Sequence, residues 1–256
     1  MAVDRTAIVT GASSGIGRAI ACAFGAEGWQ VAIGARREQR LETTAEQVEA
    51  AGGKPFAHVL DVTDARSIDT FFAAAERTLG PADILVNNAG TSTPGRLHTI
   101  DDDALRCEVE TNLLGPMLTS RRAIASMVER GAAGDLVFIS SDATRHARPR
   151  MAAYTATKAG IELLAQSLAM ELEGSGIRST TVRVGPTVTE FGSRWPAEEV
   201  DELMQYWPRY GLQRHPGYLQ ADDVARAVLT AVTAPPGVHV DTIEVQPEAP
   251  VGEPQD

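Results

Sequence analysis

Cysteine is nearly absent from this chain: Cys22 and Cys107 are the only two in 256 residues and lie far apart. Each sits in an apolar-periodic stretch with no histidine patterned beside it, which argues against a disulfide framework and a thiol nucleophile. The two thiols read as small core fillers in a reducing compartment. Aromatic residues make up only 5%, and no uninterrupted apolar run approaches the ~20 residues that span a bilayer. Met1 to Arg5 lead straight into a strand pattern, leaving no room for a signal peptide, so a cytoplasmic protein with no membrane partner is expected. Positive charge is also short: 23 Lys and Arg face 34 Asp and Glu, a formal net charge of −11 at pH 7. A nucleic-acid partner is excluded on that balance, because binding a polyanion needs a cationic surface. His58, His98, His215 and His239 show no ligand spacing, and no metal site is expected.

What is present is an alternation. With 43% hydrophobic residues the chain can bury one large core. Short β-branched runs at Thr6–Thr10, Gln30–Ala35, Lys54–Leu60, Asp83–Asn87, Asp135–Ser140, Arg178–Val184 and Val238–Val245 read as strands. Helical patterns fall between them at about Gly15–Gly28, Arg37–Ala51, Asp64–Leu79, Asp101–Arg130, Ala152–Glu173 and Gln220–Ala234. Gly28, Gly52-Gly53 and Gly80-Pro81 stand where helices should stop. Helices alternating with strands imply an α/β fold: a doubly wound, Rossmann-type parallel sheet of seven strands with helices on both faces. No linker or repeat divides the chain, so one domain over residues 1–246 is expected, followed by a polar tail at 247–256. The stretch Gly185–Leu219 breaks the alternation and reads as a lid or binding loop.

After the first strand, Thr10-Gly11-Ala12-Ser13-Ser14-Gly15-Ile16-Gly17 opens directly into a helix. Glycines permit a tight turn and close backbone approach, and free N–H groups at a helix start favour an anion such as a pyrophosphate. The second strand ends Gly34-Ala35-Arg36-Arg37, with no acid before Glu38. A cation here suits a ribose 2′-phosphate where an acid would suit a free 2′-hydroxyl, so NADP(H) is favoured over NAD(H).

Tyr154-Thr-Ala-Thr-Lys158 puts a phenol and an ammonium four residues apart on one helix face. A cation about 4 Å from the phenol, at an effective dielectric near 20, favours the phenolate by up to roughly 4 kcal/mol, or about 3 pK units. One lysine is therefore sufficient in magnitude to tune a tyrosine for acid–base work.

Together, Thr10–Gly17, Asn87-Asn88-Ala89-Gly90, Asn112, Ser141, Tyr154 and Lys158 resemble the short-chain dehydrogenase/reductase family in its single-domain branch, over about Thr6 to Val245. The resemblance implies that Tyr154 is the general acid in carbonyl reduction and the base in alcohol oxidation. Lys158 would lower its pKa and hold the nicotinamide ribose. Ser141, in preference to Ser140, would hydrogen-bond the substrate oxygen, and Asn112 would help hold a water that links Lys158 to solvent. Thr10, Gly11, Ser13, Ser14, Gly15, Ile16 and Gly17 would line the pyrophosphate and ribose. Arg36, with Arg37, would hold the 2′-phosphate, Asp61 and Val62 the adenine, and Asn88, Ala89 and Gly90 the adenosine side. Asn87 reads as structural. The resemblance also implies a homodimer or homotetramer built through the long helices.

Some features depart from the family pattern. In Gly185-Pro186-Thr187-Val188-Thr189-Glu190, Val188 can offer backbone groups to the nicotinamide amide, while Glu190 stands where the family often has threonine. The C-terminus lacks the glycine-rich ending of ketoacyl reductases, which argues against that branch. The basic loop Arg145–Arg150 has two readings, an anion-binding mouth or a solvated surface. Trp195, Tyr206, Trp207 and Tyr210 either wall a pocket or pack the insertion onto the body. The function expected is NADP(H)-dependent interconversion of a carbonyl and a secondary alcohol; the alternative is a non-catalytic dinucleotide-binding redox sensor or scaffold.

Overall fold

The computed structural model describes residues 5–193, 195–212 and 216–249. Met1 to Asp4, His215 and the tail from residue 250 onward lie outside the described residues. Seven strands form: β1 (Thr6–Thr10), β2 (Gln30–Ala35), β3 (Lys54–Val59), β4 (Ile84–Asn87), β5 (Gly134–Ser141), β6 (Ile177–Val184) and β7 (Thr242–Val245). All pair in parallel in one sheet, in the order β3-β2-β1-β4-β5-β6-β7. The doubly wound Rossmann-type sheet read from the sequence is therefore the observed one. Chain direction across the sheet reverses between β1 and β4, which opens a crevice at their carboxyl ends.

Consecutive apolar residues in these strands reflect burial on both faces. Along β1, Ala7 and Val9 join one apolar layer with Ile20 and Phe24 of α1 (Gly15–Ala26), Leu41 of α2 (Glu38–Ala50) and Val228 of α8 (Ala221–Val232). Ile8 points the other way, joining Phe71 and Phe72 of α3 (Ala65–Leu79), Met127 of α5 (Gly115–Glu129) and Ile161 of α6 (Ala152–Glu171). Each fully buried side chain of this size contributes about 1.5–3 kcal/mol.

Three element boundaries differ from the sequence reading, each for a local reason. The helix expected over Asp101–Arg130 is α4 (Asp102–Val109) and α5 joined by a π turn, Glu110–Leu114, which carries Asn112. The last strand starts only at Thr242, because side chains of β6 take carbonyls before it: Thr180 Oγ1 donates to Val240 O at 2.7 Å and Arg178 Nη1 to Val238 O at 2.9 Å. Within Gly185–Leu219 the chain forms α7 (Ala197–Arg209), whose Pro208 obscures its helical pattern and whose Leu203 is fully buried. Of the cysteines, Cys22 is half-buried and packs against the core, whereas Cys107 is exposed, because α4 turns Glu108 inward instead.

Below the sheet, Asp135 of β5 is buried between Arg5 (2.5 Å) and Arg178 (2.7 Å), tying the start of β1 to β5 and β6. Removing one member of a buried pair strands its partners, so Asp135→Ala should cost about 3–5 kcal/mol. Glu76→Ala, which breaks the half-exposed pair with Arg122 at 3.0 Å, should cost no more than about 1 kcal/mol. Urea unfolding of both variants checks this, and equal losses would contradict it.

Candidate active site

The site is built from the crevice between β1 and β4. Thr10 Oγ1 donates to Val86 O at 3.2 Å and accepts from Asn88 N at 3.0 Å and Ala89 N at 3.1 Å. Asn88 Nδ2 donates to Thr10 O at 2.9 Å and Gly11 O at 3.3 Å. These bonds press the two strand ends together. A Cβ on Gly17 would lie 2.4 Å from Asn88 Nδ2, and one on Gly11, which has φ +67°, would lie 2.8 Å from Ala89 Cα. Only glycine fits either place. Ser14, the residue before α1, makes no side-chain cap, so the helix start faces the crevice with its N–H groups available.

A cavity of about 960 Å³ runs along this edge of the sheet. Gly11, Ser13, Ser14, Gly15, Ile16, Asp61, Val62, Asn88, Ala89 and Gly90 all line it, as do Arg36 and Arg37. Thr10 and Gly17 do not: both are buried behind the loop, where they shape it. Val188 is also absent from the wall; its N–H is taken by Leu219 O at 2.9 Å and its side chain is exposed, while Thr187 and Thr189 line the cavity. Asn87 is structural, bonded through its amide to Ser120 Oγ (2.9 Å) and Thr119 Oγ1 (2.6 Å).

At one end of the cavity the cations differ in their commitments. Arg37 donates to Ser13 Oγ (2.8 Å) and Ser14 Oγ (2.7 Å), which locks it onto the glycine loop. Arg36 is exposed, and no hydrogen bond or ion pair is recorded for it among the described residues. Arg40, one helical turn after Arg37, also lines the cavity, and the sequence reading missed it; the i, i+3 spacing was the available signal. Glu190 bridges Arg37 (3.1 Å) and Arg40, and these two cations hold its carboxyl below the usual range.

At the other end stand the four residues expected to do chemistry. Asn112, from the π turn, donates both amide hydrogens to fixed partners, Thr91 O at 2.8 Å and Thr157 Oγ1 at 3.2 Å, and its Oδ1 accepts from Thr91 N at 2.8 Å. Ser140 and Ser141 diverge at the end of β5. Ser140 Oγ donates to buried Glu162 Oε1 at 2.6 Å, an acid also held by Arg183 at 2.7 Å. Ser141 is left on the cavity side with Tyr154, where its Oγ accepts from Ala143 N at 3.2 Å and donates to Asp142 Oδ1 at 3.4 Å. Lys158 Nζ donates to Ile139 O at 2.8 Å and sits 5.7 Å from the Tyr154 ring centroid.

Burial dominates the ionisation here. It pushes the Tyr154 phenol up to about 12, with Asp142 and Glu108 adding to the rise and Ser141 and Arg148 opposing it. It pulls Lys158 down to about 8. Lys158 is not among the groups that lower Tyr154: the ammonium lies against the ring and binds a carbonyl, and desolvation is the larger effect.

The basic loop divides: Arg145, His146 and Ala147 are exposed, as a solvated surface would be, whereas Arg148 and Arg150 turn inward and are committed to acids of the chain. Arg148 is buried, paired with Asp142 (2.6 Å), bonded to Leu212 O (3.1 Å) and stacked on Trp207 at 4.8 Å. Arg150, at φ 67°, pairs with Glu199 and Glu202 of α7, and Arg145 with Glu244 at 3.5 Å. The loop is the seat of α7. The aromatics divide: Trp195, Trp207 and Tyr218 line the cavity, whereas Tyr206 and Tyr210 stack on one another with centroids 6.3 Å apart. Phe191, unremarked in the sequence, packs 5.5 Å from Tyr154 and 5.7 Å from Trp195. Ser92 Oγ and Trp207 Nε1 are buried without a hydrogen-bond partner, and both residues line this end of the cavity.

Among the described residues no helix is long and apolar enough to cross a membrane, and no three His, Cys, Asp or Glu side chains gather as a metal site. The chain is similar to a glycine betaine reductase of Emericella nidulans, 36% identical over 244 residues, covering 95% of this chain and 19% of that one. A short chain dehydrogenase of Pseudocercospora fijiensis is 38% identical over 204 residues, with 79% of this chain and 65% of that one covered. The chain therefore spans less than two thirds of either relative. Among solved structures, an alcohol dehydrogenase from the archaeon Thermococcus sibiricus, complexed with 5-hydroxy-NADP, superposes with a TM-score of 0.82 at 29% identity, covering 98% of this chain and 100% of that one. The family model for short chain dehydrogenases matches residues 5–200, and with the parallel sheet and glycine loop already described, the chain belongs to the short-chain dehydrogenase family of oxidoreductases.

Proposed function

We propose that this protein is an NADP(H)-dependent oxidoreductase that interconverts a carbonyl and a secondary alcohol on a small, moderately apolar substrate. The observation that carries the reading is the joining, in one cavity, of a glycine-lined anion cradle flanked by Arg36, Arg37 and Arg40 with the Ser141, Tyr154 and Lys158 trio. A dinucleotide fits the residues present: a Cβ on Gly17 or Gly11 would strike Asn88 or Ala89 and push the loop out of its cradle shape, whereas one on Gly90, which lines the cavity, would meet nothing closer than 3.5 Å. The archaeal alcohol dehydrogenase, complexed with an NADP derivative, supports the same reading. A redox sensor without catalysis would have no use for a half-buried phenol converging with a buried hydroxyl and ammonium beside the cradle.

The glycine loop would hold the pyrophosphate, Arg37 the 2′-phosphate ahead of Arg36, and Lys158 the nicotinamide ribose. Bound nicotinamide supplies or accepts the hydride. Tyr154, with a pKa far above neutrality, stays protonated and is suited to deliver its proton to a carbonyl oxygen. Ser141 donates a second hydrogen bond to that oxygen as negative charge develops. Asn112 acts by fixing Thr91 and Thr157, which frame Lys158 and Gly90. Phe191, Trp195, Met204 and Trp207 wall the substrate end, and the unpartnered Trp207 indole N–H suits a substrate with a second polar group.

The reading extends to a single cytoplasmic domain over residues 1–246 that assembles as a homo-oligomer. Met117, Ile124 and Val128 of α5 line an apolar groove with Leu164 and Leu168 of α6, a face suited to a second copy.

Tyr154→Phe should lower kcat by on the order of 10²–10⁴, while the Kd for NADPH, measured by fluorescence titration, stays unchanged; undiminished turnover would refute the mechanism. Arg37→Ala should weaken NADPH by about tenfold or more and NADH little, with Arg36→Ala milder; equal losses for the two cofactors would remove Arg37 from the 2′-phosphate site. Lys158 also sets a pH window. Its pKa falls from 10.5 to about 8 on folding, so between these values the unfolded chain binds more protons and stability rises with pH. The rise amounts to roughly 3 kcal/mol in full and should vanish in Lys158→Met when urea unfolding is compared from pH 7 to 10. Tyr154, raised on folding, acts in the opposite sense above pH 10. An identical rise in both proteins would contradict the assignment.

A further inference from the structure

Glu190 stands on the segment after β6 that leads into the substrate wall, 150 residues away in sequence from Arg40. One of its carboxylate oxygens is shared by the guanidinium groups of Arg37 and Arg40, and Arg37 in turn holds the hydroxyls of Ser13 and Ser14. The structure thus already shows an anion bound by these two arginines, and that anion belongs to the chain itself. Its neighbour Thr189 lies over the glycine loop, where a Cβ on Gly15 would come within 3.3 Å of it. On its other side Phe191 packs against Tyr154 at 5.5 Å and against Trp195 at 5.7 Å. Trp195 is held in turn by its indole N–H, which donates to Ser92 O at 2.9 Å. A strap, Thr189 to Ser193, therefore joins the cations at one end of the cavity to the phenol at the other.

We propose that Glu190 is an internal competitor for the 2′-phosphate site, and that a ligand phosphate on Arg37 and Arg40 displaces it and frees the strap that covers Tyr154. The proposal rests on the NADP(H) reading above. The three side chains are between a third and a half exposed (Arg37 38%, Arg40 45%, Glu190 49%), so the bridge is weak and salt-screened. A phosphate monoester with about −1.5 to −2 charge and three acceptor oxygens is the stronger partner for two guanidinium groups. The exchange is therefore favourable for a 2′-phosphorylated ligand, while a ligand with a free 2′-hydroxyl leaves Glu190 where it is. Cofactor choice and access to Tyr154 are thereby linked through one carboxylate.

The test uses the full chain and two fragments without a nicotinamide, adenosine 2′,5′-bisphosphate and adenosine 5′-monophosphate, with binding read by calorimetry. Glu190→Gln keeps the shape and removes the charge. It should bind the bisphosphate about fivefold more tightly than the unaltered protein and the monophosphate equally well. Unchanged or weaker bisphosphate binding would overturn the competition, and equal gains for both fragments would show that Glu190 does not act on the 2′-phosphate. The NADP(H) reading fails separately, if the unaltered protein binds the bisphosphate no more tightly than the monophosphate. Strap release is read in a Trp29→Phe, Trp207→Phe background that leaves only Trp195 of the three tryptophans. Saturating bisphosphate should shift the Trp195 emission and the monophosphate should not; an unmoved emission would overturn the link to Tyr154.

Discussion

Everything in the site depends on how closely two backbones approach at the carboxyl ends of β1 and β4. Thr10, buried to 1% exposure, spends its hydroxyl on three backbone groups of β4 and the turn after it. That contact leaves no room for a side chain at Gly11 or Gly17. With those positions bare, α1 starts on the cavity floor with its N–H groups unpaid by any side-chain cap. The same turn carries Gly90 past Lys158 and Asn112, so the glycine loop and the Tyr154–Lys158 end of the cavity share one backbone turn.

The second constraint is desolvation. Tyr154 and Lys158 are brought into a wall where burial disfavours both phenolate and ammonium, which drives their ionisation in opposite directions. A protonated phenol and a partly destabilised ammonium suit delivery of a proton better than storage of a charge. Around them, cations are met by acids: Arg148 by Asp142, Arg183 by Glu162 and Glu244, Arg150 by Glu199 and Glu202.

Much of this was legible in the chain because it is written in local spacing. Parallel strands announce themselves as β-branched runs, a glycine loop between strand and helix marks the cradle, and Tyr154 and Lys158 share a face by helical period. Arg150 shows where that legibility stops: it lies in a loop, and only the return of α7 supplies Glu199 and Glu202, 49 and 52 residues on. The π turn at Asn112 was invisible for a related reason, since one extra residue per turn leaves no mark in composition.

The sequence by itself determined the fold class and the glycine loop between β1 and α1, because each follows from periodicity or from residue types that tolerate one conformation; Ser141, Tyr154 and Lys158 were singled out by resemblance to a family. Tertiary structure alone decided that Arg37 rather than Arg36 grips the loop, that Thr10 and Gly17 shape the cavity from behind, and that Val188 turns away from it. It also decided the sign of the shift on Tyr154. Burial and long-range ion pairs are properties of how elements meet, and no local pattern records them.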